Sequence, residues 1–156
     1  MPGYGIQPAN DKTDLLPWSW AVERLVRSHY YWISTVRPDG RPHAMPVWGV
    51  FMEGEVWFSS SGGSRKTLNI ESNPQVVACT DDATEPVVVE GTARRLSSTG
   101  EPQAVHAFAD AVNAKYGTEY PVEFFFENAT FLVRPDRVIG MTESEFENSP
   151  TKWTFV

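Results

Sequence analysis

Hydrophobic residues alternate with polar ones in short runs along much of the chain, a pattern typical of β-strands. Residues 31–36, 41–52 and 55–60 form the first three runs, and Pro-Asp-Gly and Glu-Gly turn sequences separate them. Because tight turns join the three runs, they predict an antiparallel meander. Further strands are predicted at residues 76–80 and 86–96, as a hairpin at 130–133 and 137–141, and at 151–156.

Apolar residues recur three and four positions apart in other segments, which predicts helices. The first helix begins at Pro17, a residue that the first turn tolerates. A short helix is predicted over Ser64–Glu71, before Asn-Pro. A longer one is predicted to open with a capping box, Ser98 and Glu101, and to end at Gly117.

The order of these elements indicates the architecture. Residues 1–16 are rich in Pro, Gly, Asn and Asp and predict an irregular N-terminal arm. Residues 17–156 contain no long linker or repeat and suit a single domain, although the pattern of residues 123–128 is ambiguous. Six or seven strands with two or three helices predict an α+β fold: a mainly antiparallel split β-barrel with peripheral helices.

Composition and charge narrow the range of partners. Thirteen basic and twenty acidic residues give a net charge of −7, which disfavours nucleic acid as a partner. An aromatic barrel surface that stacks bases is an alternative that this charge also disfavours. No apolar run approaches the roughly 20 residues of a membrane span. The single cysteine, Cys79, excludes an internal disulfide, and with no secretory signal in view a cytoplasmic location is expected.

The segment from Ser59 to Lys66 is the strongest candidate for a ligand site. Three hydroxyl side chains and two glycines connect a predicted strand to a helix whose first turn carries Arg65 and Lys66. Free N–H groups and the helix dipole attract anions there, and the two cations would add bidentate and point-charge contacts. The pattern predicts a phosphate-binding turn. A solvated loop with a serine cap is the alternative.

The strand predicted over residues 41–52 is the second candidate for a ligand site. Pro46 lacks an N–H group, so its strand is expected at a sheet edge or at a bulge, where backbone groups are free for a ligand. His43 lies on the same strand, but the three histidines lack the spacing of metal ligands and no metal site is predicted. No motif supports nucleophilic catalysis, so no catalytic residue is assigned.

The order and spacing of these motifs resemble those of the pyridoxamine 5'-phosphate oxidase-like split-barrel flavoproteins. The motifs that carry the resemblance are residues 34–48, Val-Trp-Phe-Ser at 56–59, Ser-Arg-Lys at 64–66, Asn-Pro at 73–74 and Val-Glu-Gly at 89–91. It covers residues 17–97, with weaker support from 151–155. The resemblance implies a homodimer with a flavin-type cofactor at the subunit interface.

The resemblance also implies roles for particular residues. Binding of the cofactor phosphate is assigned to Ser64, Arg65 and Lys66, and the border of the ring is assigned to Met45, Pro46, Val47 and Trp48. Ser59 and Ser60 match hydroxyl-bearing positions beside the ring. Trp153 is expected to approach the site from the partner chain. No titratable side chain is assigned to the proton that accompanies reduction, and water is one source open to it.

The chain departs from authentic pyridoxamine phosphate oxidases near His43 and Trp48, where those enzymes carry basic residues, and it lacks their arginine-rich C-terminal segment. The Pro-Val-Trp strand and the terminal Lys-Trp-Thr-Phe instead resemble the deazaflavin-dependent branch, which uses coenzyme F420. This resemblance implies hydride transfer from reduced F420 to a small electron-poor organic substrate. The alternatives are an FMN-dependent oxidoreductase of the same fold and a non-catalytic flavin or deazaflavin carrier.

Overall fold

The computed structural model describes residues 15–155, so most of the predicted N-terminal arm lies outside the described residues. Four helices and eight strands occur within the described range. In chain order they are α1 (Trp18–Arg27), β1 (Tyr31–Val36), β2 (Pro42–Val47), β3 (Gly49–Met52), β4 (Glu55–Ser60), α2 (Arg65–Ser72), β5 (Gln75–Thr80), β6 (Val87–Arg95), α3 (Pro102–Tyr116), α4 (Val122–Glu127), β7 (Ala129–Gly140) and β8 (Thr151–Thr154).

The strands form one antiparallel sheet that curls on itself. Its order is β2-β1-β5-β6-β7-β4-β3, and β8 pairs with β7. The strands β2 and β3 stand at opposite ends of this order, yet along the chain only Trp48 separates them. The sheet must therefore bend until its two ends meet at Trp48. The predicted α+β fold, a mainly antiparallel split barrel with peripheral helices, is confirmed.

The concave side of the sheet holds the main hydrophobic core. Tyr31, Phe58 and Phe131 are its largest fully buried side chains. Helix α1 adds Leu25 to this core, and α2 adds Ile70. Each fully buried side chain of this kind contributes about 1.5–3 kcal/mol. Both helices therefore pack against the concave side of the sheet, and the predicted phosphate turn lies at the N-terminus of α2 on that side.

A second hydrophobic cluster lies on the convex side. Trp57 and Leu132, from β4 and β7, pack there against Val105, Phe108 and Phe125 of α3 and α4. These helices cover β3, β4 and the first half of β7. The convex face of β2, β1, β5 and β6 receives no helix among the described residues, and this difference bears on assembly.

The single strand predicted over residues 41–52 is wrong, and so is the meander. The chain leaves one sheet end at Val47 and enters the other at Gly49: β2 pairs with β1, whereas β3 pairs with β4. The alternation of apolar and polar residues continues through Trp48, so the sequence pattern does not show that the chain changes its partner strand there.

The hairpin predicted from residues 130 to 141 is also wrong, because these residues form one long strand. The register with β6 shifts between Glu90 and Gly91, and Asp136 is the extra residue of a bulge in β7. A Cβ at Gly91 would overlap the carbonyl oxygen of Arg134, so this close approach requires glycine.

The predicted capping box is wrong by a few residues. Helix α3 has Glu101 as its N-cap and Pro102 in its first turn. Upstream of the helix, Ser97 Oγ accepts a hydrogen bond from the Gly100 N–H, while the Glu101 carboxylate accepts one from the Ser97 N–H. The helix ends at Gly117 in the left-handed conformation (φ 64°), as predicted. The ambiguous segment forms α4.

Candidate cofactor-binding site

The turn between β4 and α2 is held by a chain of hydroxyl contacts. Ser64 is the N-cap of α2, and its Oγ accepts a hydrogen bond from the Thr67 N–H (3.3 Å). Ser60 Oγ lies 2.8 Å from Ser64 Oγ, and Thr67 Oγ1 donates to the carbonyl of Ser61 (2.9 Å). The first N–H groups of the helix have no helical acceptor, so they are available to donate hydrogen bonds to an anion at this turn.

The two cations of this turn differ in their surroundings. Lys66 is half-buried, and burial lowers the pKa of its ammonium group. It precedes Asn69 and Ile70, both buried, by three and four residues, so it lies on the face of α2 that packs against the sheet. Arg65 is exposed. Lys66 therefore borders the interior of the corner, and Arg65 lies at its rim.

His43 and Arg37 extend this corner from the sheet. His43 faces Thr35 in the β1–β2 register, and Thr35 Oγ1 accepts a hydrogen bond from the buried Asn69 side chain of α2 (2.9 Å). Two buried nitrogens, His43 Nδ1 and Arg37 Nε, have no hydrogen-bond partner among the described residues. Burial first, and then the charges of Arg37, Lys66 and Arg65, lower the pKa of His43.

Cations without an ion pair are concentrated in this corner. Within the described residues, the cations that pair with no carboxylate are Arg37, Arg65, Lys66, Lys115 and Lys152. Three of these five act on His43. In a chain of net charge −7, unneutralised positive charge gathered at one place favours a bound anion.

The adjacent strand β2 presents a free edge. The Arg37 N–H donates to the Arg41 carbonyl, so residues 37 and 41 form a hydrogen-bonded pair. Such pairs alternate along an antiparallel hairpin, so the backbone N–H and C=O groups of His43, Met45 and Val47 point towards β1. On the outer edge this leaves carbonyl oxygens, together with the N–H of Ala44, because residues 42 and 46 are prolines. The predicted edge position of Pro46 is confirmed, and this edge suits a ligand that donates hydrogen bonds.

The ring-border residues predicted on β2 point in different directions. Val47 is buried in the core, whereas Met45 lies on the same concave face but is 47% exposed at the split. Pro46 is exposed on the convex side, opposite Trp32 in the register. Met45 is thus the member of this stretch whose side chain borders the space beside the free edge.

Trp48, where the two sheet ends meet, is held by the end of α3. Its ring stacks on Tyr116 with centroids 4.2 Å apart and planes 4° from parallel. The Tyr116 hydroxyl accepts from the Gly49 N–H (2.9 Å), and its proton is within reach of the His29 carbonyl (2.6 Å) and the Gly49 carbonyl (3.0 Å). Lys115 Nζ donates to the same Gly49 carbonyl (2.7 Å).

The other residues predicted to bind the cofactor lie at the end of β4 and on β8. Ser59 and Ser60 end β4 next to the turn and are half-buried. Trp153 lies on β8, opposite Val138, and packs edge-on against Trp18 of its own chain (5.5 Å between centroids). Its approach to a partner's site stays a prediction.

A cleft of about 660 Å³ lies on the convex face and contains none of the residues predicted for the cofactor. Strands β1, β5, β6, β7 and β8 line it, with Glu90, Arg137 and Lys152 among its polar residues. Arg137 of β7 forms an ion pair with Glu90, its neighbour on β6. One wall of the cleft is the uncovered sheet face.

The corner fits the phosphate of a flavin-type cofactor. Arg65, Lys66 and the N-terminus of α2 supply positive charge, and the unpartnered nitrogens of His43 and Arg37 supply donor capacity that the described chain does not use. The carbonyls of the β2 edge would accept hydrogen bonds from the ring. Among residues 15–155, no three His, Cys, Asp or Glu side chains come together as metal ligands.

Comparison with known proteins identifies the family. A family model described as pyridoxamine 5'-phosphate oxidase matches residues 21–142. The chain belongs to this family. Its resemblance to the split-barrel flavoproteins is therefore confirmed. No curated protein matches the sequence. No helix in the described part of the chain is long and apolar enough to span a membrane.

Three solved structures of similar fold illustrate the range of proteins that share it. A conserved hypothetical protein of Mycobacterium tuberculosis, Rv2991, is 22% identical, with a TM-score of 0.75 and coverage of 90% of this chain and 91% of that one. A protein described as an F420 reductase is 26% identical, with a TM-score of 0.60 and coverage of 74% and 93%. An FMN-binding protein of Nostoc punctiforme is 20% identical, with a TM-score of 0.61 and coverage of 92% and 98%.

Sequence reasoning missed three residues of the corner and of its supports. Arg37 could have been found, since the register around the Pro-Asp-Gly turn places it diagonally to His43 on the same face. Lys115 and Tyr116 gave no local signal. Both hold Gly49, which is 66 positions from Lys115 and 67 from Tyr116, and only the folded barrel brings them together.

Proposed function

We propose that the protein is an oxidoreductase that transfers a hydride from reduced coenzyme F420 to a small electron-poor organic substrate. Membership of the pyridoxamine 5'-phosphate oxidase family supports an oxidoreductase-like function with a flavin- or F420-type cofactor. The observation that carries the proposal is the unneutralised Arg65–Lys66 turn beside the free edge of β2. The F420 reductase of similar fold supports the choice of deazaflavin.

The chain's own residues would bind and orient the cofactor. Arg65 and Lys66 hold the phosphate, with Ser64 fixing the turn, and the β2 edge holds the ring through its carbonyls. Met45 borders the ring at the split, and the stacked Trp48 and Tyr116 form a rigid apolar wall that excludes water on that side. A reduced deazaflavin supplies the hydride, and water supplies the proton.

We further propose that the protein acts as a homodimer with the cofactor at the interface. The convex face of β1, β2, β5 and β6 carries apolar side chains without a covering helix; they are Trp32, Val36, Pro42, Pro46, Val77, Cys79 and Val88. Monomeric proteins rarely leave a continuous apolar face of this kind in water. A second copy is the occupant that the family resemblance implies.

The first test is to measure binding of F420 and FMN side by side to the purified protein by calorimetry. The proposal expects selective binding of F420 and turnover of electron-poor acceptors with the reduced coenzyme. Selective binding of FMN would replace the proposal with the FMN-dependent alternative, and F420 binding without turnover of any acceptor would indicate a carrier.

The phosphate turn is tested by the double variant R65A/K66A. Charge-assisted hydrogen bonds contribute about 1.5–3 kcal/mol each, so the Kd should rise more than about tenfold. The matched control is R27A/R134A, which removes the same charge from exposed positions on α1 and β7 and should leave the Kd unchanged. Equal affinity of the folded double variant and the wild type would exclude this turn as the phosphate site.

A further inference from the structure

The corner described above brings an imidazole close to three cations. Arg37 faces His43 from the end of the β1–β2 hairpin, and Arg65 and Lys66 face it from the first turn of α2. The carboxylate next along the chain, Asp39, makes two hydrogen bonds to the Arg41 side chain at the hairpin tip. No described carboxylate is among the groups that act on His43.

The fold fixes His43 in this position through three connections. His43 is paired with the buried Thr35 across β1 and β2, and Thr35 is bound to Asn69 of α2, which is fully buried. Lys66 precedes Asn69 by three residues on the same face of the helix. Arg37 lies diagonally to His43 on the same face of the hairpin. These connections place the His43 side chain on the face of the hairpin that α2 packs against.

Unused hydrogen-bond capacity is concentrated at the same place. His43 Nδ1, Arg37 Nε and Asn69 Oδ1 are buried and have no partner among the described residues. Buried polar atoms without partners are costly, and a native protein retains few of them. A ligand that accepts hydrogen bonds from the two nitrogens must carry acceptor atoms, and the three surrounding cations favour a ligand with negative charge, such as an oxyanion.

From this arrangement we infer that His43 is a proton-linked residue of the anion subsite: it is neutral in the empty site and takes up a proton from solvent when an oxyanion binds beside Arg37, Arg65 and Lys66. The inference rests on the proposed function in that the cofactor's phosphate is the oxyanion meant. It adds a residue, and a dependence on pH, that the phosphate turn alone does not have.

The electrostatic reason is the change in the local charge. Burial and the three cations keep the pKa of His43 below its ordinary value, so the empty site favours neutral imidazole. A bound oxyanion offsets part of this positive charge and stabilises the imidazolium, which raises the pKa of His43. Binding therefore consumes a proton, and over the pH range between the two pKa values the affinity falls by up to tenfold per pH unit as pH rises.

The experiment is an NMR titration of the histidine ring protons with and without sulfate, which stays doubly charged across the range. The sequence has three histidines, His29, His43 and His106, so the signals are few, and H43Q assigns the signal of interest. Sulfate is expected to raise the pKa of His43 by about 1 or more. His29 and His106 lie outside the corner and serve as internal controls.

Two variants locate the effect. K66A should largely abolish the sulfate-induced rise at His43, whereas R134A, which removes an exposed cation of β7, should leave it unchanged. The His43 ring signal can also be assigned in the wild type by through-bond correlation to its backbone resonances, so a variant that fails to fold does not prevent the test. An unchanged pKa of His43 in saturating sulfate, or an equal rise in all three histidines, would overturn the inference.

The outcome also separates this inference from the proposed function. A sulfate-dependent rise in the pKa of His43 without binding of F420 or FMN would support the anion subsite and reject the cofactor. Tight F420 binding to a protein whose His43 does not respond to the oxyanion would reject the inference and leave the oxidoreductase in place. Calorimetric proton uptake, compared between wild type and H43Q in buffers of different ionisation enthalpy, gives an independent reading of the same quantity.

Discussion

Single residues in this site are distinguished by burial more than by type. Arg65 and Lys66 are neighbours in the sequence and both carry positive charge, but one is exposed and the other is half-buried against the sheet. The sequence motif predicts that both cations occur at the turn, since charge and helix position are local properties. It does not predict which of them is desolvated, because that depends on Asn69 and Ile70 packing against the concave face.

Lys115 makes the clearest prediction at the residue scale. Burial lowers the pKa of its ammonium to about 8, although the Asp81 charge acts in the opposite direction. In the unfolded chain the pKa is near the ordinary value of about 10.4, so between pH 8 and pH 10 the unfolded state binds more protons than the native state. The Lys115 contribution to stability should therefore rise with pH over this range and stay constant below it.

The measurement is urea unfolding of wild type and K115M at pH 7.5, 8.5 and 9.5. Cys79, Tyr31 and Tyr116 have pKa values raised by burial and reduce stability at high pH, but both proteins contain them. Subtracting the K115M values isolates the lysine. The free energy of unfolding of wild type, relative to K115M, should increase across the series, and a constant difference would contradict the lowered pKa.

At the scale of elements, the sequence predicts what neighbouring residues determine. It places the start of α1 and both ends of β1, β4, α2 and β5 within two residues of their observed positions, because caps, turns and alternation act over a few positions. It fails at Trp48, where the chain changes from one sheet end to the other. It fails again at Pro135-Asp136, which has the composition of a turn but forms a bulge opposite Gly91. An isolated glycine within the β6 run was the available signal.

The contact between α3 and the β2–β3 junction leads to a prediction at this scale. Y116F keeps the ring stacked on Trp48 but removes the hydroxyl that serves Gly49 and His29, and should cost about 1–3 kcal/mol of stability. Y116L also removes the stacking partner and should weaken cofactor binding beyond Y116F. Urea unfolding and calorimetric Kd measure the two effects.

The matched control is Y120F. Tyr120 is also aromatic and stacks on Phe124, but it is exposed, and its hydroxyl makes no hydrogen bond with the described residues. Its variant should leave stability and Kd unchanged. If Y116L bound the cofactor as tightly as wild type, the wall formed by Trp48 and Tyr116 would not border the site.

For the whole molecule, the two faces of the sheet have different surroundings. The concave face is filled by the main core with α1 and α2, and α3 and α4 cover one half of the convex face. The other half remains apolar and uncovered within the described residues, with the 660 Å³ cleft at its margin. Local sequence patterns predict the strands but not this asymmetry, because it depends on which strands the helices reach.

The proposed dimer through this face is tested by W32E. Trp32 is 46% exposed near the middle of the face, between Pro46 on β2 and Cys79 on β5. A carboxylate buried there without a partner costs several kcal/mol, so the variant should sediment as a 17.5 kDa monomer where wild type sediments at twice that mass. The control is F124E, which places the same charge at an exposed phenylalanine on α4 and should remain dimeric.

Because the cofactor is proposed to lie between the subunits, W32E should also lose cofactor affinity while retaining the urea stability of its fold. A dimeric W32E would exclude this face as the interface, and a monomeric W32E with unchanged Kd would place the whole cofactor site within one chain.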